Sequence, residues 1–420
     1  MAEQRRILTL KAVREWRFIN EEIDDLGEIE TNYKEERQKI KMELSKSQRE
    51  LRERIIQALK EQGFKINPHV RPNGYSKETY RKIQQKSKYE QLSLHKKFLI
   101  DSLEEVKSYC RNGSEIDPER ISLELREVRS GSFEETLFKW WNLIWWSIPY
   151  QHPYGRQMRF LLWDTTHDAP FGLICLQSPV LKMSVRDNYL GIPKEELDIW
   201  VNKSMNAQRV GALPPYNELL GGKMVALALT CNEIRELYEK KYKSRISIIK
   251  KRKLEPELLF ITTTSAFGKS SLYNRLRYNG EVVAESLGYT KGFGTFHIPD
   301  ELYEELLEFL KNQGVDVSRG YGHGPSRKLK LISLGLKYLG LPKFEYHGIK
   351  REFYLFPLVK NLKRVIQAGE EPIWLDRPFD KLVDYWKERW AIPRAERMLE
   401  WRDFNSKQFF KKVEKILKEV

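Results

Sequence analysis

The sequence predicts an α+β protein with a mixed-sheet core over residues 113–292, a long helical N-terminal arm over 1–112 and a mainly helical C-terminal region over 293–420. Three observations predict it. Apolar residues recur at helical spacing in the early part of the chain, apolar runs of strand length joined by a polar turn begin at Met158, and amphipathic stretches return after Ile298.

Composition bounds the answer. The chain has 420 residues, too many for one ordinary domain, and its 40% apolar and 12% aromatic content is enough to bury a core despite 32% charged residues. Lys plus Arg number 74 against 59 Asp plus Glu, a formal charge of +15. A surplus of that size favours polyanions through counterion release, and nucleic acid, DNA before RNA, is the partner it points to. No stretch approaches the roughly 18 consecutive apolar residues of a membrane helix, and Met1-Ala-Glu-Gln-Arg-Arg leads into no signal-peptide core, so a soluble, cytoplasmic protein is expected. Cys110, Cys175 and Cys231 make neither a disulfide framework nor a Cys-x-x-Cys zinc site.

From Glu28 to Lys60, Ile29, Tyr33, Ile40, Leu44, Leu51, Ile55 and Leu59 lay a narrow apolar stripe on a helix otherwise made of Glu, Lys, Arg and Gln. Such an arm packs on the body, pairs with a second copy, recruits other proteins or touches nucleic acid directly. It stops at Gly63; turns at Asn67-Pro68 and Pro72-Asn-Gly-Tyr precede further charged helix from Lys77 to about Cys110. Asn112-Gly-Ser-Glu-Ile-Asp-Pro is a linker. Beyond it Trp140, Trp141, Trp145 and Trp146 cluster before Ile148-Pro149-Tyr150, a spacing that suits a core or domain seam better than a base-stacking platform.

The core opens with a β-hairpin, Met158–Trp163 and Phe171–Gln177 joined by Asp164–Pro170. Pro214-Pro-Tyr-Asn217 starts a buried helix running past Leu229 towards Tyr238, with Gly221 and Gly222 letting its backbone approach the sheet. Leu258–Thr264 is a central strand, and Ser265–Arg275 a loop opening a short helix. After Gly292 come a helix from Asp300 to about Gln313, a Gly-rich loop from Gly314 to Ser326, a helix through Leu339, a strand at Glu352–Leu358 and a helical tail from Asp380 carrying Trp386, Trp390 and Trp401.

Several places carry chemistry. Gly268-Lys269-Ser270-Ser271 at a helix start brings backbone amides, a point charge and hydroxyls together, an arrangement that holds a phosphate or simply caps a helix. It is not a P-loop, because the earlier Gly would fall at Thr263. Tyr273 follows as a candidate acid or nucleophile, sharing a face with Lys269 or Arg277; Arg275 adds a phosphate contact. Lys240–Lys253 carries eight basic residues and no acidic one, ending in Lys250, Lys251, Arg252 and Lys253. Arg319, His323, Arg327, Lys328 and Lys330 form a second basic loop interleaved with Tyr321 and glycines, suited to a single strand or a distorted duplex. His323, His347 and Arg351 are candidate acid, base and anion clamp. No metal-ligand spacing and no Ser-His-Asp order stands out.

The order hairpin, strand, Gly-containing helix, strand, Tyr-bearing helix resembles the core of GCN5-related N-acetyltransferases, which implies an anion-binding loop near Leu219-Leu-Gly-Gly-Lys223 and Tyr273 as acid. Asn217 and Leu220 stand where that family places a basic or amide residue and its first Gly, so no cofactor is assigned. Longer blocks, Arg186-Asp-Asn-Tyr-Leu-Gly-Ile192, Val210–Ala226, Ile261–Leu276 and His347–Leu358, are similar to those of the Druantia anti-phage DruA family over about Phe138–Arg394. That resemblance implies a defence-associated protein with an acetyltransferase-like core. It names no reaction.

Overall fold

The computed structural model describes residues 44–67, 69–150, 153–246, 253, 255–318 and 327–420. Helix α1 (Lys46–Gln62) begins at a capping box on Ser45 and ends on Gly63, whose left-handed φ of 102° closes the last turn. Its stripe of Leu51, Ile55, Ala58 and Leu59 is buried. A hairpin of β1 (Phe64–Ile66) and β2 (Val70–Pro72) leads into α2 (Lys77–Leu94), capped by Ser76, and two short helices, Lys96–Asp101 and Leu103–Ser108, carry the chain to Cys110. The expected arm from Glu28 is thus helical and packed on the body from Lys46; its earlier part lies outside the described residues.

Strand β3 (Leu123–Glu127) precedes helix α3 (Phe133–Ile144), where Trp140 and Trp141 are fully buried with ring centroids 5.2 Å apart. The expected hairpin is β4 (Gln157–Asp164) and β5 (Ala169–Gln177), followed by β6 (Ser204–Ala212). The buried helix begins later than Pro214: Leu220 sits at φ 59°, so the helical ladder starts only at Gly221. It is also two helices, α4 (Gly221–Ala228) and α5 (Asn232–Tyr242), because a turn at Thr230, whose hydroxyl bonds the Leu227 carbonyl, breaks it. An added Cβ at Gly221 would lie 2.6 Å from the Tyr216 carbonyl oxygen, so the backbone approach needs this glycine.

Strand β7 (Phe260–Thr264), helix α6 (Ser271–Asn274), strand β8 (Glu285–Tyr289), helices α7 (Asp300–Asn312) and α8 (Arg327–Tyr338) and strand β9 (Glu352–Pro357) follow. The seven-stranded sheet has the order β8-β9-β7-β6-β5-β4-β3. Its neighbours are antiparallel except β6 and β7, which pair in parallel over Ser204–Ala207 and Phe260–Thr263 and then part while β6 runs on to Ala212. The segment expected to be mainly helical therefore supplies an inner strand, β9, and the boundary drawn at 292 runs through the sheet.

Helices cover both faces. On one, α4, α5 and α9 (Phe379–Trp386) pack on Phe171, Ile174, Ile261 and Phe356. On the other, α3 and α10 (Ser406–Glu419) enclose Leu161, Trp163, Leu173 and Cys175 together with Leu92, Leu99 and Val106. A third core joins α1, the first hairpin and Ile83 to α7, α8 and Phe344, tied outside by Arg54 and Glu305. Residues on either side of 112 thus share cores. Among the described residues no helix is long and apolar enough to cross a membrane.

Candidate nucleic-acid interface

Among the described residues the sequence-predicted site residues do not gather at one place: Arg351 lies near His347 and bridges Gly268, and the others are scattered. Lys250, Lys251, Arg252 and His323 lie outside the described residues; Lys253 is exposed and bridges Ile246. Lys328 is paired with Asp300, and Arg327 donates to the Val317 carbonyl. Lys269 precedes α6 and Arg275 follows it, and both are exposed. Ser270 caps that helix, its Oγ accepting from the Tyr273 amide at 3.4 Å. Arg277 begins a separate short strand, so the helical face expected for Tyr273 with Arg277 does not form.

Tyr273 is a core residue. Its ring meets Tyr354 and Phe356 edge-on, its hydroxyl is hydrogen-bonded to Thr263, and burial pushes its pKa well above the phenol range. His347 is likewise committed: the Ile349 amide donates to Nδ1 at 3.0 Å, and burial, then His297 and Arg351, hold it far below the usual imidazole range. Its neighbour His297 is fully buried, donates Nε2–H to the Phe344 carbonyl at 2.7 Å and is lowered by burial to about 4. Both rings brace the loop around Gly292–Gly294; an added Cβ at Gly294 would meet His347 Nε2 at 2.9 Å. His347 spends its ring on backbone partners and His297 has Nδ1 sealed from solvent, so neither buried neutral histidine is placed to relay protons.

The loop Ser265–Ser271 is held by a carboxylate the sequence reading missed. Glu352, 5% exposed, accepts from Ser286 Oγ at 2.6 Å, Asn274 Nδ2 at 3.0 Å and the Tyr354 hydroxyl. Burial alone raises its pKa, yet those donors outweigh burial and hold the carboxyl below its ordinary value. A carboxylate so well supplied with donors is a weak base, and it ties β8, β9 and α6 together. The signal was there: one acid opening the apolar run Glu352–Pro357.

Cationic side chains do gather elsewhere. Between α2 and the segment after α3 lies an open cleft of about 680 Å³, lined by Arg81, Lys82 and Lys88 with Ser76, Thr79, Gln85 and Ser147; its one carboxylate is Glu78. None of the three cations has an ion pair with a described residue. Tyr75 and Lys77 flank the cleft residue Ser76 in the chain, with Tyr75 74% exposed. Lys88 forms the cleft's inner end. It is 9% exposed, its Nζ donates to the Leu143 carbonyl, and burial followed by the Arg209 guanidinium pushes its pKa down to about 7. Arg209 in turn donates from Nε to Asn142 Oδ1 at 2.7 Å and from one terminal nitrogen to the carbonyls of Ile148 and Pro149. Together with Gln91, which clasps Tyr150, these side chains fasten the turn that follows the tryptophan helix. The sequence gives Lys88 no mark among the lysines of a charged helix; only the fold buries it.

Among the described residues no group of three or more His, Cys, Asp or Glu side chains is placed to hold a metal ion.

Comparison with known proteins gives a consistent result. The family model for Druantia protein DruA matches residues 74–368. The Druantia protein DruA of Escherichia coli (strain UMEA 4076-1) is 32% identical over 367 residues, 86% of this chain and 91% of that protein. No solved structure matches, so the acetyltransferase likeness rests on element order alone.

Proposed function

The chain belongs to the Druantia protein DruA family and is thereby an anti-phage defence protein, and from that premise we propose that it acts by binding nucleic acid along the cationic cleft of α2. The observation that carries this reading is the set Arg81, Lys82 and Lys88, three cations that no described residue pairs, on one cleft lined by a single described carboxylate. Phosphodiester oxygens supply the missing negative charge, and release of condensed counterions supplies the free energy. Tyr75, exposed beside the cleft, offers a ring to an unpaired base. The cleft reads no sequence by itself: lysine and arginine on a shallow surface position a backbone and do not reach base edges in a fixed pattern. DNA in the cytoplasm is the expected partner. An enzymatic alternative has no observation in its favour, because Tyr273 and His347 are sealed in separate cores while Lys269 stands on the surface.

Fluorescence anisotropy with labelled duplex DNA, single-stranded DNA and RNA tests this across about 50–200 mM salt. Affinity should fall linearly in log–log form. The double change Arg81→Glu and Lys82→Glu should reduce the slope by about two, since each lost duplex phosphate contact removes roughly 0.9. Binding that ignores salt, or a double variant that binds like the parent protein, would refute it.

A further inference from the structure

At the point where β6 and β7 part, the sheet face covered by α3 carries hydrogen-bond donors with no acceptor among the described residues. Strand alternation puts Asn206, Arg209, Thr264 and Arg351 on that face: Asn206 pairs with Thr262, Thr264 with Phe353, and Arg351 lies two residues before Phe353. Arg209 is on the same side, opposite Cys175 in the core of α3.

Arg351 is the unusual member. It is partly buried and its guanidinium makes no hydrogen bond, ion pair or ring contact with the described residues, whereas its backbone is fixed by Thr290 Oγ1 at 3.2 Å and by a bridge to Gly268. None of its nitrogens is among the sealed, unsatisfied atoms, so each remains open to a ligand. Burial lowers its pKa, and it is near enough to Arg209 and His347 to depress both. Arg209 keeps one terminal nitrogen unbonded after serving Asn142, Ile148 and Pro149. Among the described residues the hydroxyl of Thr264 has no partner, and Asn206 spends its oxygen on Thr262 while its amide finds no acceptor. No carboxylate among the described residues acts on Arg209, Arg351 or Lys88.

Two guanidiniums brought together without a counter-ion cost stability, and the cost is relieved when an anion arrives. A dianion suits two cations better than a monoanion does, and a recessed site admits a chain terminus more readily than the middle of a strand. We infer that Arg351, Arg209, Thr264 and Asn206 form a binding site for a terminal phosphate group, a phosphomonoester, at the parting of the parallel strands. Arg351 presents its fork to two phosphate oxygens, and Thr264 and Asn206 donate to the remaining ones. Trp146, which packs on Gly211 and faces Arg209 with the ring centroid 5.9 Å from the guanidinium carbon, walls the site on the side where a sugar or base would lie. The site is separate from Arg81 and Lys82 and stands or falls without them.

The test is a melting and titration series on the full chain with inorganic phosphate, adenosine monophosphate, and one oligonucleotide carrying either a 5′-phosphate or a 5′-hydroxyl, with sodium chloride at matched ionic strength as control. A saturable stabilisation by phosphate or adenosine monophosphate supports the site with a free small anion as its source. Preference for the 5′-phosphorylated oligonucleotide supports it with a strand end as the source. Arg351→Met should abolish either response while melting no lower than the parent protein in the absence of ligand, because an uncompensated cation has gone. Thr264→Val keeps size and charge, and should weaken binding about tenfold through one lost charged hydrogen bond. Equal binding of the two oligonucleotides with no phosphate response, or an Arg351→Met protein that still responds, would overturn the assignment. The first outcome would leave the α2 cleft intact, since that cleft is tested by Arg81→Glu with Lys82→Glu and by Lys88→Met.

Discussion

Replacing Lys88 by Met should stabilise the protein at neutral pH, by an amount that shrinks as pH rises. In the folded chain burial and Arg209 lower the ammonium to about 7, against an ordinary 10.5. Because the folded pKa lies below the unfolded one, the unfolded chain binds more protons between those values, and stability rises with pH across that window. The interval of roughly 3.5 pH units at about 1.4 kcal/mol each comes to about 5 kcal/mol, present as a penalty below pH 7 and gone above the unfolded pKa. Methionine matches the aliphatic stem and carries no charge, but it forfeits the bond to the Leu143 carbonyl, worth about 1 kcal/mol. The net gain at pH 7 is therefore a few kcal/mol.

Urea unfolding of both proteins, followed by tryptophan fluorescence at steps from pH 7 to about 9.5, reads this directly. The difference in stability should close by about 3 kcal/mol over that range. A difference that stays constant with pH, or a Met variant weaker at pH 7, would show that Lys88 is solvated and charged in the fold. The same lysine couples the fold to the proposed function. A phosphate brought to the cleft favours the charged ammonium, so binding takes up a proton, tightens as pH falls from about 9 to 7, and loses that dependence in the Met variant.

Acid should loosen the core shared by α1 and α7: His297 is held near 4 against an ordinary 6.5, so its contribution is complete above 6.5 and is lost as pH falls towards 4, about 3 kcal/mol in all. His347 acts with the same sign, and His297→Phe should flatten the decline in melting temperature between pH 6.5 and 4.5. Gly221→Ala places a methyl 2.6 Å from the Tyr216 carbonyl oxygen and 2.9 Å from Phe171 Cζ, and should cost about 2 kcal/mol or more in a melt. Gly222→Ala meets only Leu272 Cδ1, at 3.1 Å, and should be nearly neutral, which makes the pair a control on the packing argument.

Local pattern reported the elements faithfully where the signal was local. Two apolar runs joined by a short polar turn gave β4 and β5, and the β-branched run ending at Thr264 gave β7. Capping chemistry marked the end of α1 at Gly63. What the sequence could not express is which distant segments meet. Phe353 pairs with Thr264 across 89 positions, so a strand assigned to a helical region turned out to lie inside the sheet. The break at Thr230 was hidden because the residues on both sides of it are apolar and helix-compatible. Motif reading favoured Gly268–Ser271 for its glycine, lysine and serines, yet capping and the Glu352 clasp account for most of that loop. Lys328 looked free as part of a basic run, and Asp300, 28 positions away, neutralises it.

Charge counting along a sequence locates cations but cannot say which are expensive, and expense is what separates the two kinds found here. An exposed lysine such as Lys269 costs nothing to keep and so argues for nothing. Lys88 and Arg351 are different, because the fold withdraws each from water and gives neither a counter-ion. A chain that needed only stability would put methionine or leucine at both positions, since an apolar side chain of similar length fills the space without the desolvation penalty. Retaining two such cations, each near Arg209 and with no described carboxylate acting on the three, is a cost that binding an anion recovers. The chemistry of this protein should therefore be sought along the line Lys88, Arg209 and Arg351, where removing charge is expected to raise stability and lower affinity together.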